Sequence, residues 1–287
     1  MEESRMMSRE SHPAVTLIYF LLVIAITMMS MHPVFLILSF TFACASAVMT
    51  RGYAGLRFCI WVTGCALVLM TLINVLFNHR GDSVLFTVGS LVFTKESMLY
   101  GLSAALLLSS AVIWSTVLGT LLTGDKLVYI FGRVSPGLGL LLSMTFRAVP
   151  LLRKRYREIR TAQRSLAAGC ASGSAGRVRA VSTLLAWSLE TSLGTADSMA
   201  ARGYGLRGRT SYHLFRFKAS DGIKLAVTMV IAAALIAVIV LGYARMSFYP
   251  VTKVPMDRRI TLSAAAFAIF LAGAPLLCLE IKADANH

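Results

Sequence analysis

The sequence predicts an all-α, polytopic membrane protein with about six transmembrane helices and two long helices on the cytoplasmic side. Three observations carry this. Of its 287 residues, 57% are hydrophobic and only 14% charged, with a mean hydropathy of +0.72, whereas a soluble domain carries about 25% charged residues. The apolar residues gather into runs near the length a helix needs to cross a bilayer, about 20 residues. The charge is also concentrated. Formal net charge is +15, and 147–218 alone holds 14 Lys and Arg against three acids (Glu158, Glu190, Asp197), a net of +11.

Taken in order, the first apolar stretch, Tyr19 to Met49, is too long for one crossing, and His32-Pro33 interrupts it midway. Proline cannot donate a helical hydrogen bond, so two spans are expected, 15–31 and 34–50. A third runs from Phe58 to Phe77. Val84 to Thr94 is apolar but too short to cross as a helix, which predicts a re-entrant or interfacial piece. Further spans follow at Ser97–Leu122, Ile223–Tyr243 and Ile260–Ile281. No cleavable signal peptide is expected, because the first run is long and no small-residue cleavage site follows it. The expected organisation is 1–133, N-terminal membrane helices; 134–218, the basic helical region; 219–287, C-terminal membrane helices.

Lys and Arg collect in cytoplasmic loops, so 147–218 is expected inside the cell. Counting crossings backwards puts 51–57 (Arg51, Arg57) inside and 78–83 outside, with both termini cytoplasmic. The 245–259 loop then falls outside although it carries Arg245, Lys253, Arg258 and Arg259 against Asp257, which runs against the same rule.

The basic region reads as two helices. Gly137 to Leu166 starts as membrane-grade sequence (LGLLLSMTF) and becomes RAVPLLRKRYREIRTAQRSL. Val149, Leu152, Tyr156, Ile159 and Leu166 recur at helical spacing, and Arg153, Arg157, Arg160 and Arg164 form a neighbouring stripe. Such a helix can lie on lipid headgroups or dock in a protein groove. A Gly, Ser and Ala loop, 167–176, lets the chain turn. The second helix, Arg177 to Arg202, carries Leu185, Leu189 and Leu193 on one face, continued by Ala196 and Ala200. Small residues allow close crossing, so the two helices are expected to pack together. Thr183, Glu190 and Asp197 repeat at seven on another face. Gly203 suits a left-handed C-cap, with Arg202 in the last turn complementing the helix dipole; a capped helix end is the plain reading of that pair.

Enzyme chemistry is not evident. No G-x-x-x-x-G-K-[ST] phosphate loop occurs, the five histidines are scattered, and the five cysteines form no C-x-x-C pair and behave as small hydrophobes in apolar runs. Glu190 and Asp197 are two turns apart, about 10 Å, and read as solvated or arginine-paired acids. No cofactor, no metal and no catalytic residue is expected. Arg147 falls where it can snorkel to the headgroups. A nucleic-acid binder would use Arg207, Arg209, Arg216 and Lys218 beside Tyr212, Phe215 and Phe217, but positive-inside charge with interfacial aromatics accounts for the same residues. A membrane-embedded enzyme or a stand-alone channel would need polar residues within the spans, and Asn74, at a span end, is nearly the only candidate.

Met199-Ala200-Ala201-Arg202-Gly203-Tyr204-Gly205 resembles the Ala-Arg-Gly signature ending a coupling helix in the T component of energy-coupling factor (ECF) transporters, the vitamin- and metal-importing relatives of ABC transporters. Asn74-Val75-Leu76-Phe77-Asn78-His79-Arg80-Gly81 is similar to an Asn-Pro-Leu-Phe-type stretch of that family, with valine for proline. Asp125-Lys126, Phe131-Gly132-Arg133, Met144-Thr145-Phe146-Arg147 and Pro150-Leu151 resemble the lead-in to its first coupling helix, and Ala162-Gln163-Arg164 the end of it. Many members carry a first Ala-Arg-Gly directly after Ala-Gln-Arg; here those places hold Ser165-Leu166-Ala167. Either Arg164 supplies the charge there or that end docks through apolar contact. The resemblance covers nearly the whole chain.

What the resemblance implies is a prokaryotic, multi-pass cell-membrane subunit working with two cytoplasmic ABC-type ATPase subunits and a small substrate-binding membrane protein, the S component. Docking to the ATPases is expected at Ala201, Arg202 and Gly203 and at Ala162, Gln163 and Arg164. Arg153, Arg157, Arg160, Glu190 and Asp197 are expected to support the coupling helices. A guanidinium makes paired hydrogen bonds to a groove carboxylate that lysine cannot copy. No nucleic acid is expected as a partner, and ATP hydrolysis is expected in the partner subunits.

Overall fold

The computed structural model describes residues 12–77, 84–88, 91–166, 173–206, 219–241 and 258–285. Outside them lie the whole 78–83 loop, most of the 245–259 loop, Asn78 to Gly81 of the Asn74 stretch, Cys170 with most of the 167–176 turn, and the basic 207–218 segment with its aromatics. The described residues form nine helices and one two-stranded hairpin: α1 (Pro13–Met29), α2 (Pro33–Arg51), α3 (Tyr53–Phe77), β1 (Val84–Val88), β2 (Leu91–Thr94), α4 (Lys95–Leu121), α5 (Gly124–Val134), α6 (Pro136–Leu166), α7 (Ser174–Ala201), α8 (Ala219–Val240) and α9 (Arg258–Ala285). The chain divides into two compact units, 1–123 with 215–287, and 124–214.

In the first unit, six apolar helices stand where six spans are expected. α2, α3 (to Asn74), α4 (from Ser97) and α8 are long and apolar enough to cross a membrane, and α1 and the Ile260–Pro275 part of α9 are shorter apolar helices. The first two prolines act as starts: Pro13 and Pro33 occupy the first turns of α1 and α2, where a missing N–H costs nothing. His12 Nδ1 accepts a hydrogen bond from the Ala14 N–H at 3.3 Å. The interruption at His32-Pro33 is therefore a helix-to-helix turn, as the sequence suggests.

The expected 51–57 loop is shorter than that. α2 ends at Arg51 and α3 begins at Tyr53, so the connection is Gly52 alone, at φ +61, a left-handed conformation that glycine adopts without strain. Val84–Val88 and Leu91–Thr94 are not helical; they pair as antiparallel strands, Val84 with Thr94 and Val88 with Leu91, with an irregularity between Val84 and Phe86. Pairing satisfies the backbone of an apolar run too short to cross as a helix.

The core of this unit joins Phe20, Val23 and Ile26 of α1, Phe35 of α2, Ile113 and Trp114 of α4, and Phe267 and Leu271 of α9. A small polar knot is built into it. Trp114 Nε1 donates to Ser39 Oγ at 3.0 Å, and Ser39 and Thr27 share a hydroxyl contact at 2.9 Å, so α1, α2 and α4 are pinned at one point. Tyr19 Oη donates to the Phe270 carbonyl at 2.7 Å, which binds α1 to α9. Within a bilayer such bonds matter because water offers no alternative partner. Close approach of α3 and α4 depends on Gly101: a Cβ there would lie 3.0 Å from Thr71 Cα.

Candidate docking ends of the long helices

The first helix of the second unit, α5, is amphipathic, a piece that the hydrophobic pattern of the sequence does not single out. Ser135 turns the chain into α6, and the two helices cross at Gly132 and Gly139. A Cβ on Gly139 would sit 2.5 Å from Gly132 Cα, so only glycine fits. A second contact lies alongside, where a Cβ on Gly124 would meet the Phe146 ring at 3.7 Å.

α6 and α7 are long, 31 and 28 residues, or about 46 and 42 Å at 1.5 Å per residue. They pack on each other as expected, but not through the expected faces. Leu152, Tyr156 and Ile159 are half-buried, whereas Val149 and Leu166 are exposed. On α7 the buried or half-buried positions include Gly176, Ala180, Leu184 and Trp187, and Trp187 meets α6 through Arg155. Leu185, Leu189 and Leu193 point away, 58%, 67% and 71% exposed. The small residues buried on α7 are Gly176 and Ala180 at its start, not Ala196 and Ala200 at its end, both of which are exposed.

One cation ties the pair. The Arg155 guanidinium lies 5.2 Å from the centre of the Trp187 ring and forms a 2.9 Å ion pair with Glu158 on its own helix. A guanidinium over an indole face is favourable by about 0.5–1 kcal/mol at exposed sites. Neither Arg155 nor Trp187 was among the sequence candidates, although the Arg155/Glu158 spacing of three was a visible cue.

At the C-terminal end of α6, Ala162 and Arg164 are exposed and Gln163 is half-buried. Gln163 Oε1 is closed off from solvent and has no hydrogen-bond partner among the described residues. Thr161 and Ser165 hydroxyls donate back to the carbonyls of Arg157 and Thr161 at 2.9 and 3.1 Å. The Ala162-Gln163-Arg164 set is therefore split, with two side chains outward and the glutamine turned in.

The end of α7 is different. The Gly203 N–H donates to the Ala200 carbonyl and the Tyr204 N–H to the Met199 carbonyl, both at 3.0 Å. Gly203 sits at φ +79. This is the paired-bond Schellman ending, with a left-handed residue just past the helix. Arg202 occupies the C-cap itself, its side chain exposed between exposed Ala201 and half-buried Gly203. The turn closes through backbone groups.

The remaining candidates lie along the helix shafts. Arg153 and Arg157 are exposed and Arg160 half-buried on α6, and Glu190 and Asp197 are exposed on α7. The hydroxyls of Thr183, Ser188, Thr191, Ser192 and Thr195 all donate to carbonyls of the preceding turn. Their donors are thus spent inside the helix, leaving α7 with an apolar stripe flanked by carboxylates. Among the described residues no group of three His, Cys, Asp or Glu could hold a metal ion.

Residues 4–212 match the family of cobalt transport proteins designated CbiQ. The chain is also similar to the energy-coupling factor transporter transmembrane protein EcfT of Streptococcus thermophilus. The two are 29% identical over 199 residues, which cover 63% of this chain and 72% of the relative.

Proposed function

Since the chain belongs to the CbiQ cobalt transport protein family and is a membrane component of the ECF transporter type, we propose that it is the coupling subunit of an ECF-type importer. In this reading it transmits ATP-driven motion from two cytoplasmic ATPases to a small substrate-binding membrane protein that takes up a vitamin or a transition metal. The 1–133 and 219–287 segments form the membrane part and 134–218 the cytoplasmic coupling part, with six crossings and both termini in the cytoplasm. Nucleotide chemistry belongs to the partners, since the chain has no phosphate loop.

The observation that carries the proposal is the end of α7. Two backbone bonds and a left-handed glycine fix the turn, so Arg202 is presented at a rigid helix terminus with small neighbours on either side. That arrangement lets a guanidinium enter an acidic groove and bond a carboxylate through two N–H groups. Ala201 and Gly203 keep the approach open. The second docking end is Ala162, Gln163 and Arg164, where Arg164 carries the charge. Arg153, Arg157, Arg160, Glu190 and Asp197 support the helices between the membrane and the docking ends.

Co-purification of the ATPases with variants tests the reading. Arg202→Glu removes one partner of a desolvated pair, a loss of about 3–5 kcal/mol, and is expected to release an ATPase and abolish uptake while membrane insertion persists. Arg209→Glu, in the flanking basic segment, is expected to behave as an exposed pair worth about 0–1 kcal/mol and to retain the complex. An intact complex with Arg202→Glu reduces Arg202 to an ornament of the helix end. Equal losses from both variants mean diffuse electrostatics and sink the docking site.

A further inference from the structure

α6 changes character along its length, and the change occurs within two turns. Leu141, Met144 and Phe146 are exposed apolar residues; from Arg147 the exposed surface is increasingly cationic. At 100° per residue, Arg147, Arg153, Lys154 and Arg157 fall within one sector of about 120°. All four are exposed. Phe146 lies in the same sector immediately upstream, and the face half-buried against α7 (Leu152, Tyr156, Ile159) lies to the other side. The one acid on α6, Glu158, is engaged by Arg155 at 2.9 Å. The sector therefore contains four cations and no carboxylate, over a rise of about 15 Å.

We infer that Arg147, Arg153, Lys154 and Arg157 form a binding site for anionic phospholipid headgroups on the exposed face of α6, at the surface of the membrane. Several observations favour lipid over an acidic protein groove. The cations follow directly on an exposed apolar run, which is the arrangement of a juxtamembrane basic segment attracted to an anionic leaflet. They spread over a broad sector rather than converging on one point, as a helix-end docking residue does. Three of the four are arginines, whose planar fork matches a phosphodiester through paired hydrogen bonds. Lysine adds a point charge. The inference rests on the membrane location of the chain and does not depend on ATPase docking at Arg202 or Arg164.

Native mass spectrometry of the purified chain, titrated with phosphatidylglycerol or phosphatidylcholine, provides the test. Each near-surface cation is worth about fivefold in binding to anionic lipid, so Lys154→Gln/Arg157→Gln is expected to weaken phosphatidylglycerol binding at least about tenfold. Arg177→Gln/Arg179→Gln removes the same charge from exposed positions at the start of α7 and is expected to leave it unchanged. Wild-type binding should favour phosphatidylglycerol over phosphatidylcholine and weaken as salt rises. Equal binding of both lipids by the wild type overturns the site. So does an equal loss from the two double variants, which would mean diffuse charge attraction. Unchanged lipid binding by Lys154→Gln/Arg157→Gln, with loss of co-purifying ATPase, assigns the sector to a protein partner instead.

Discussion

Ser39 Oγ accepts from Trp114 Nε1 and shares a second hydrogen bond with the Thr27 hydroxyl, at a buried point. Ser39→Ala therefore strands an indole N–H as well as removing a bond. An unsatisfied buried donor costs about 1–3 kcal/mol, and cross-helix bonds in membranes average about 0.6 kcal/mol. The expected loss is about 1–2 kcal/mol, read as a lower unfolding midpoint in detergent; an unchanged midpoint shows that the three helices do not rely on the knot. Gly203 poses a backbone question rather than a packing one. At φ +79 a Cβ is strained and meets Leu206 Cδ1 at 2.9 Å, so Gly203→Ala should loosen the end of α7 by about 1 kcal/mol. Faster amide exchange at Gly203 and Tyr204 checks this, and Gly203→Asn should be milder because asparagine visits the left-handed region.

Elements meet where side chains are absent. Gly139→Leu places a side chain against Gly132 Cα and is expected to cost about 1–3 kcal/mol by forcing α5 from α6. Gly137→Leu, two residues away, is the matched control, since a Cβ there meets only Ser135 Oγ at 3.9 Å. Equal thermal shifts from the two would mean that the crossing is not close in solution. The helices themselves were largely legible in the sequence: α6 and α7 begin within three residues of where periodicity and charge place them, and Gly203 marks the end of α7. The hairpin was not legible as strand, because a short apolar run has no period long enough to separate strand from buried helix. Nor was the packing face of α7. Leu185, Leu189 and Leu193 look like a core stripe by spacing, but spacing cannot say which neighbour covers a stripe, and within this unit Gly176 and Ala180 are buried instead. The end of α7 at Arg202-Gly203 was readable because glycine and helix terminus coincide; the inward turn of Gln163 depends on tertiary surroundings that no local pattern encodes.

At the scale of the whole molecule, the net +11 of 147–218 against six apolar helices gives a definite expectation for sidedness. In a background free of native cysteines, impermeant thiol reagent added to intact cells should miss Ser174→Cys and reach Ser83→Cys. Labelling at Ser174 would invert the expected topology and overturn the proposed cytoplasmic role of α6 and α7. The isolated chain is also expected neither to bind nor to hydrolyse ATP, because no phosphate loop is present in the sequence. Hydrolysis that survives stringent purification would relocate the energy source into this subunit.

The contact between Arg155 and Trp187 has an optical consequence. The chain has three tryptophans, and they sit in three distinct settings: Trp61 is 74% exposed, Trp114 is fully buried, and Trp187 lies beneath a guanidinium. A fixed positive charge beside an indole shifts its emission, so with Trp61→Phe and Trp114→Phe the remaining fluorophore reports directly on whether α6 and α7 stay joined. Arg155→Gln calibrates the separated signal. A change in Trp187 emission on adding nucleotide to a complex purified with its partners would show that the helix pair moves, and constant emission would show that it stays joined, with no extrinsic dye attached.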